Sequence, residues 1–153
     1  MSEHDAGGTD GRVPLLVVDA ANVVGSVPDG WWRDRRGATE RLRDSLAAVA
    51  RYGPADRAGT PPTSEAGPVE VVLVVEGAAR GVAPVPGVRV VAAPGSGDDR
   101  IVALVEEELT ARPGRDCRVI TADRGLRARV LALGAGVLGP RTVWPARPAR
   151  PED

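Results

Sequence analysis

Val13-Pro14-Leu15-Leu16-Val17-Val18-Asp19-Ala20-Ala21-Asn22 is an apolar run that stops abruptly at a carboxylate and, three residues later, an amide. A run rich in branched aliphatics, with no polar alternation, predicts a strand over residues 13 to 18 that is buried on both faces, the usual centre of a parallel sheet. Asp19 then lies at the strand's carboxyl end. In open α/β sheets that edge binds ligands, because the connecting loops splay apart there and helix N-termini converge on it. Asn22 is the only asparagine of the chain and, with no glutamine present, its only side-chain amide.

Working outward, residues 1 to 12 lack apolar periodicity and read as a disordered leader holding His4, the sole histidine. After the first strand, residues 25 to 37 read as a loop. Residues 38 to 52 place Leu42, Leu46, Val49 and Ala50 at helical spacing, and predict an amphipathic helix. Residues 53 to 68, rich in Pro, Gly, Ala, Ser and Thr, read as a mobile surface loop. Strands are expected over 69 to 75, ending at Glu76, and over 88 to 91. A helix is expected over 98 to 111, a strand over 118 to 122 ending at Asp123, and a helix over 124 to 133. Either 136 to 138 or 141 to 144 supplies a fifth strand, and the Pro/Arg tail from 145 reads as loose. Strands alternating with helices predict one α/β domain over 13 to 144, in three α/β/α layers around a central parallel sheet.

Composition narrows the chemistry. The 153 residues are 42% hydrophobic and 27% charged, ordinary for a globular domain. With three Trp, one Tyr and no Phe, the core must be built from Val, Leu and Ala. A net charge of −1 gives no global attraction to nucleic acid, so such binding needs a local patch. Cys117 falls inside a strand pattern and reads as a small core residue. Nothing resembles a signal peptide or a membrane span, so a cytoplasmic protein without membrane contact is expected. All 20 basic residues are arginine. Without lysine a P-loop NTPase has no phosphate-binding residue, and receiver-type phosphoacceptors and haloacid-type phosphatases lose their usual basic partner. Ala21 also stands where the phosphatase pattern wants a second Asp. Gly95-Ser96-Gly97 lacks the third glycine of a dinucleotide fingerprint, and it meets Asp98 and Asp99, which would repel pyrophosphate.

The acids fall where chemistry would be. Asp19, Glu76 and Asp123 each follow a strand, Asp98 and Asp99 open a helix, and parallel strands bring all five to one edge. Singly, Asp98 and Asp123 read as helix caps and Asp19 as a turn former. Jointly they favour a site. Asp98 shares a helical stripe with Ile101, Val102, Val105 and Leu109, which directs it inward, while Asp99 lies toward the rim. Carboxylates without partner His or Cys suit Mg²⁺ or Mn²⁺, as one ion or two, and such ions activate water and neutralise phosphate.

Asp19-Ala20-Ala21-Asn22, then Gly97-Asp98-Asp99-Arg100-Ile101-Val102, then Val119-Ile120-Thr121-Ala122-Asp123-Arg124 resemble the successive motifs of the NYN branch of the PIN-like nucleases. The similarity spans residues 13 to 144. It implies a PIN-like, Rossmann-like fold and a divalent-metal site that hydrolyses RNA phosphodiesters. In that reading Asp19, Asp98, Asp99 and Asp123 are metal ligands or position metal-bound water, and Asn22 orients Asp19 or the phosphate. Arg127 stands where some members carry a further Asp, which leaves Glu76 or another acid to complete the set.

Trp31, Trp32, Arg33, Arg35 and Arg36 combine stacking surfaces with phosphate-pairing guanidiniums, the mixture expected for single-stranded nucleic acid. The same residues read equally as aromatics covering the core beside a solvated charged face, in which case Arg100 and Arg124 are the next candidates for RNA contact. The expected function is a Mg²⁺- or Mn²⁺-dependent ribonuclease acting on single-stranded or structured RNA, with a homodimer left open. The rival is a non-catalytic RNA-binding or protein-interaction module on the same fold.

Overall fold

The computed structural model describes residues 13–28, 30–54 and 68–145. The expected leader (1–12), most of the expected loop (55–67) and the end of the tail (146–153) lie outside the described residues. Five strands, β1 (Leu15–Asp19), β2 (Glu70–Val75), β3 (Val88–Ala92), β4 (Cys117–Ile120) and β5 (Gly136–Leu138), form one sheet in the order β3-β2-β1-β4-β5. Every neighbouring pair is parallel, with Val17 opposite Val72 on one side and Val119 on the other. The opening stretch is thus the central strand. All five of its residues are buried, as a strand covered on both faces requires.

Successive side chains of a strand point to opposite faces, and this alternation builds the three layers. Leu16 and Val18 share a core with Ala20 and Val23 of α1 (Ala20–Gly25) and with Ala38, Leu42 and Leu46 of α2 (Arg35–Tyr52). Leu15 and Val17 face the other way. They pack with Ile101, Leu104 and Val105 of α3 (Gly97–Ala111) and with Leu126 and Val130 of α4 (Arg124–Ala132). Cys117 is buried in this second core, and burial pushes its thiol up to about 11, the opposite of an activated nucleophile.

The structure differs from the sequence reading at several boundaries. The turn expected after β1 is the helix α1: Asp19 caps it by accepting a hydrogen bond from the Asn22 N–H, while Ala20, Val23 and Val24 bury one face at helical spacing. The helix α2 starts at Arg35 rather than at residue 38, because Asp34 accepts from the Gly37 N–H and caps it there. Of the two candidates for a fifth strand, Gly136–Leu138 pairs with β4. The chain then turns through a 3-10 segment, Pro140–Thr142, and buries Val143 and Trp144 in the first core. Among the described residues no helix is long and apolar enough to cross a membrane.

Candidate active site

Parallel topology collects the acids. Each strand runs toward the same edge, so Asp19 at the end of β1, Glu76 just past β2, Asp98 in the first turn of α3 and Asp123 just before α4 all lie at the carboxyl edge.

Asp19 is 5% exposed. Its Oδ2 accepts a hydrogen bond from the Thr121 hydroxyl at 2.9 Å, and the Asp123 N–H donates to the same Thr121 oxygen at 3.1 Å. Thr121 is fully buried, so one hydroxyl ties the end of β1 to the start of α4. Asp123 in turn caps α4 by accepting from the Leu126 N–H at 2.8 Å. Burial raises the Asp19 carboxyl to about 6, the Thr121 and Asn22 hydrogen bonds oppose the rise, and the charges of Asp98 and Glu76 add to it. Asp98 is also raised, first by burial and then by Asp123 and Glu76, with Arg129 acting the other way. Asp19 thus feels the charges of Asp98 and Glu76, and Asp98 those of Asp123 and Glu76.

Ser96, not Asp98, caps α3, since its hydroxyl oxygen accepts from the Asp99 N–H. Asp98, in the first turn, is half-buried. Glu76 is fixed differently: its carboxylate accepts the Gly97 N–H at the start of α3, and a Cβ at Gly97 would run into it. Asp99 lies at the rim, in an exposed pair with Arg129 at 3.1 Å. The Asn22 side-chain oxygen accepts from the Ala122 N–H at 2.8 Å, which ties α1 to the loop before α4. Among the described residues, no three acidic, histidine or cysteine side chains stand together as a ready-made metal site. Asp19, Glu76, Asp99 and Asp123 are each engaged by a donor of the protein itself.

The arginine and tryptophan cluster lies at the same edge. The helix α2 leads into the start of β2, so its N-terminus, with Arg35 and Arg36, stands at the carboxyl end of the sheet; Arg36 donates to the Gly81 carbonyl in the segment after Glu76. Trp31 is half-buried against the first core, whereas Trp32 is 54% exposed. Arg100 makes a long ion pair with Glu107 at 3.9 Å, and Arg124, the first residue of α4, is exposed beside Asp123. Sequence reading missed Thr121 and Gly97. A threonine one residue short of a candidate acid is the available signal for the first, and nothing local marks the second.

No protein-family model matches the chain, and no curated protein matches it in sequence. Solved structures do. The chain shares its fold with Rae1 (YacP) of Bacillus subtilis. A point mutant of Rae1 aligns over 86% of this chain and 72% of its own, with a TM-score of 0.60 and 18% identity. The unmutated protein aligns over 85% and 71%, with a TM-score of 0.58 and again 18% identity. At this identity the likeness is one of fold.

Proposed function

We propose that the chain is a divalent-metal-dependent ribonuclease that hydrolyses RNA phosphodiester bonds at the carboxyl edge of its sheet. The observation that carries this reading is the convergence of Asp19, Glu76, Asp98 and Asp123 on that edge, with Asp19 and Asp98 both held above the usual carboxylate range by burial and by other acids. Mutually repelling carboxylates are costly to fold, and a bound cation offsets that cost. The donor set is all oxygen and all acidic, which fits Mg²⁺ or Mn²⁺ rather than zinc. Asp19, Asp98 and Asp123 would hold the ion, with Glu76 the further acid within reach and Asp99 positioning water from the rim. When bound, such an ion supplies an activated water and neutralises charge on the scissile phosphate.

The protein's own groups do the rest. Thr121, by donating to Asp19, keeps that carboxylate in one orientation and leaves its other oxygen turned toward α1. Asn22 fixes the loop that carries Asp123. Arg100 and Arg124 stand next to the acids in sequence and would pair with the flanking phosphates. RNA as the substrate is supported by the three motifs that resemble the NYN nucleases.

One observation favours the rival, a non-catalytic module: no three of the described acids are gathered as a metal site. Calorimetric titration of the protein with Mn²⁺ separates the two. A saturable heat that Asp19→Asn weakens at least tenfold supports the nuclease, and the absence of any heat assigns the edge to a degenerate module.

A further inference from the structure

Trp32 is 54% exposed, while its neighbour Trp31 packs against the core and stands edge-on to it, with centroids 6.2 Å apart and planes at 87°. Trp31 is itself pinned, with the Arg35 guanidinium 5.4 Å from its ring centroid and Gly25 so near that a Cβ there would touch the indole at 3.4 Å. The anchored Trp31 thus holds a second, solvent-facing indole in a fixed pose. The Arg33 guanidinium lies 5.9 Å from the Trp32 centroid. Arg36, one turn on, is fastened to the Gly81 carbonyl in the segment that follows Glu76.

From this arrangement we infer that Trp32 is a stacking platform for an unpaired RNA base, with Arg33 and Arg35 pairing the adjoining phosphates, so that the substrate strand is single-stranded where it enters the acidic edge. The inference rests on the nuclease reading for its ligand class. The chemistry selects the strand state, because an indole face can stack only on a base that has left its helix, whereas arginines alone bind duplex and single strand alike. A duplex keeps its base faces covered.

The test is fluorescence anisotropy in EDTA, where nothing is cut, with a 12-nucleotide single-stranded RNA and a blunt RNA duplex of the same length, over a salt series. Trp32→Ala should weaken single-strand binding by about fivefold to a hundredfold. Trp32→Phe should retain most of the affinity, and duplex binding should not move. The salt slope for the single strand should also stay as in wild type, because no counterion-releasing charge is lost. Wild-type indole emission should be quenched by the single strand, and the quench should shrink in both variants. An exposed side chain leaves the fold intact, and an unchanged melting temperature verifies this. Single-strand affinity unchanged in Trp32→Ala, equal losses for both RNAs, or no binding by wild type would each overturn the platform. Binding with the expected pattern in a protein that never cleaves would leave the platform standing and defeat the nuclease reading; cleavage with Trp32→Ala affinity unchanged would do the reverse.

Discussion

A carboxylate buried at the end of a central strand burdens the fold most when it is ionised. Asp19 titrates in the folded protein at about 6 instead of 3.8, chiefly because burial disfavours its charge. A group whose pKa rises on folding binds its proton more tightly in the native state. Its favourable contribution is therefore complete below about pH 4, declines as pH rises toward 6, and is gone above that. The full swing is at most about 3 kcal/mol by linkage. Each of the buried aliphatics Leu15, Leu16, Val17 and Val18 contributes about 1.5–3 kcal/mol, so the strand carries this burden comfortably. In EDTA, wild type should lose stability relative to Asp19→Asn between pH 4 and 6, by up to about 3 kcal/mol, as measured by urea denaturation at several pH values. A difference that stays flat across the window, with the variant the less stable, would make Asp19 a simple helix cap. Neither the burial nor the Thr121 bond to Asp19 is visible in a list of residues. What the sequence does reveal is an acid at the end of an apolar run.

The elements were legible to the degree that burial dictates them. Strands β1 and β2 are covered on both faces, so their apolar runs announce them. The helix α1 escaped because its six residues lie between a strand and a loop, and its cap, Asp19, is at the same time the last residue of β1. The helix α3 was foreseen, but not the role of its first residue. Gly97 offers its N–H to Glu76, one of the orphan donors of a helix start, and its missing side chain leaves room for that carboxylate. Gly97→Ala therefore has two opposed effects. Alanine favours the helix by up to about 1 kcal/mol, and displacing Glu76 loses a charge-assisted hydrogen bond of about 1.5–3 kcal/mol. The variant should melt within a few degrees of wild type in EDTA, yet bind Mn²⁺ several-fold more weakly, because Glu76 is pushed from its place. Unaltered Mn²⁺ affinity in a calorimetric titration would remove Glu76 from the cation's surroundings.

Over the whole molecule the two ends of the sheet do different work. At the amino edge Arg115 is almost completely buried, and its guanidinium donates to the Val13 carbonyl, to Glu70 and to Glu108, binding the starts of β1 and β2 to α3. The buried Arg115 charge is thus paired with two carboxylates, as a stability device requires. At the carboxyl edge acids repel one another, and an exposed tryptophan stands among arginines. This contrast between the two edges was legible in part: the order of strands and acids foretold which edge would gather the acids. Arg115 was not foretold, since one arginine among 20 carries no sign of its burial. Divalent-metal-dependent RNA cleavage at the carboxyl edge is read out by incubating end-labelled single-stranded RNA with wild type and Asp19→Asn, in Mn²⁺, in Mg²⁺ and in EDTA. Cleavage by wild type with either ion, abolished by EDTA and reduced at least a hundredfold in Asp19→Asn, is the predicted result; an intact RNA in every lane, or cleavage that persists in EDTA or in the variant, would contradict it.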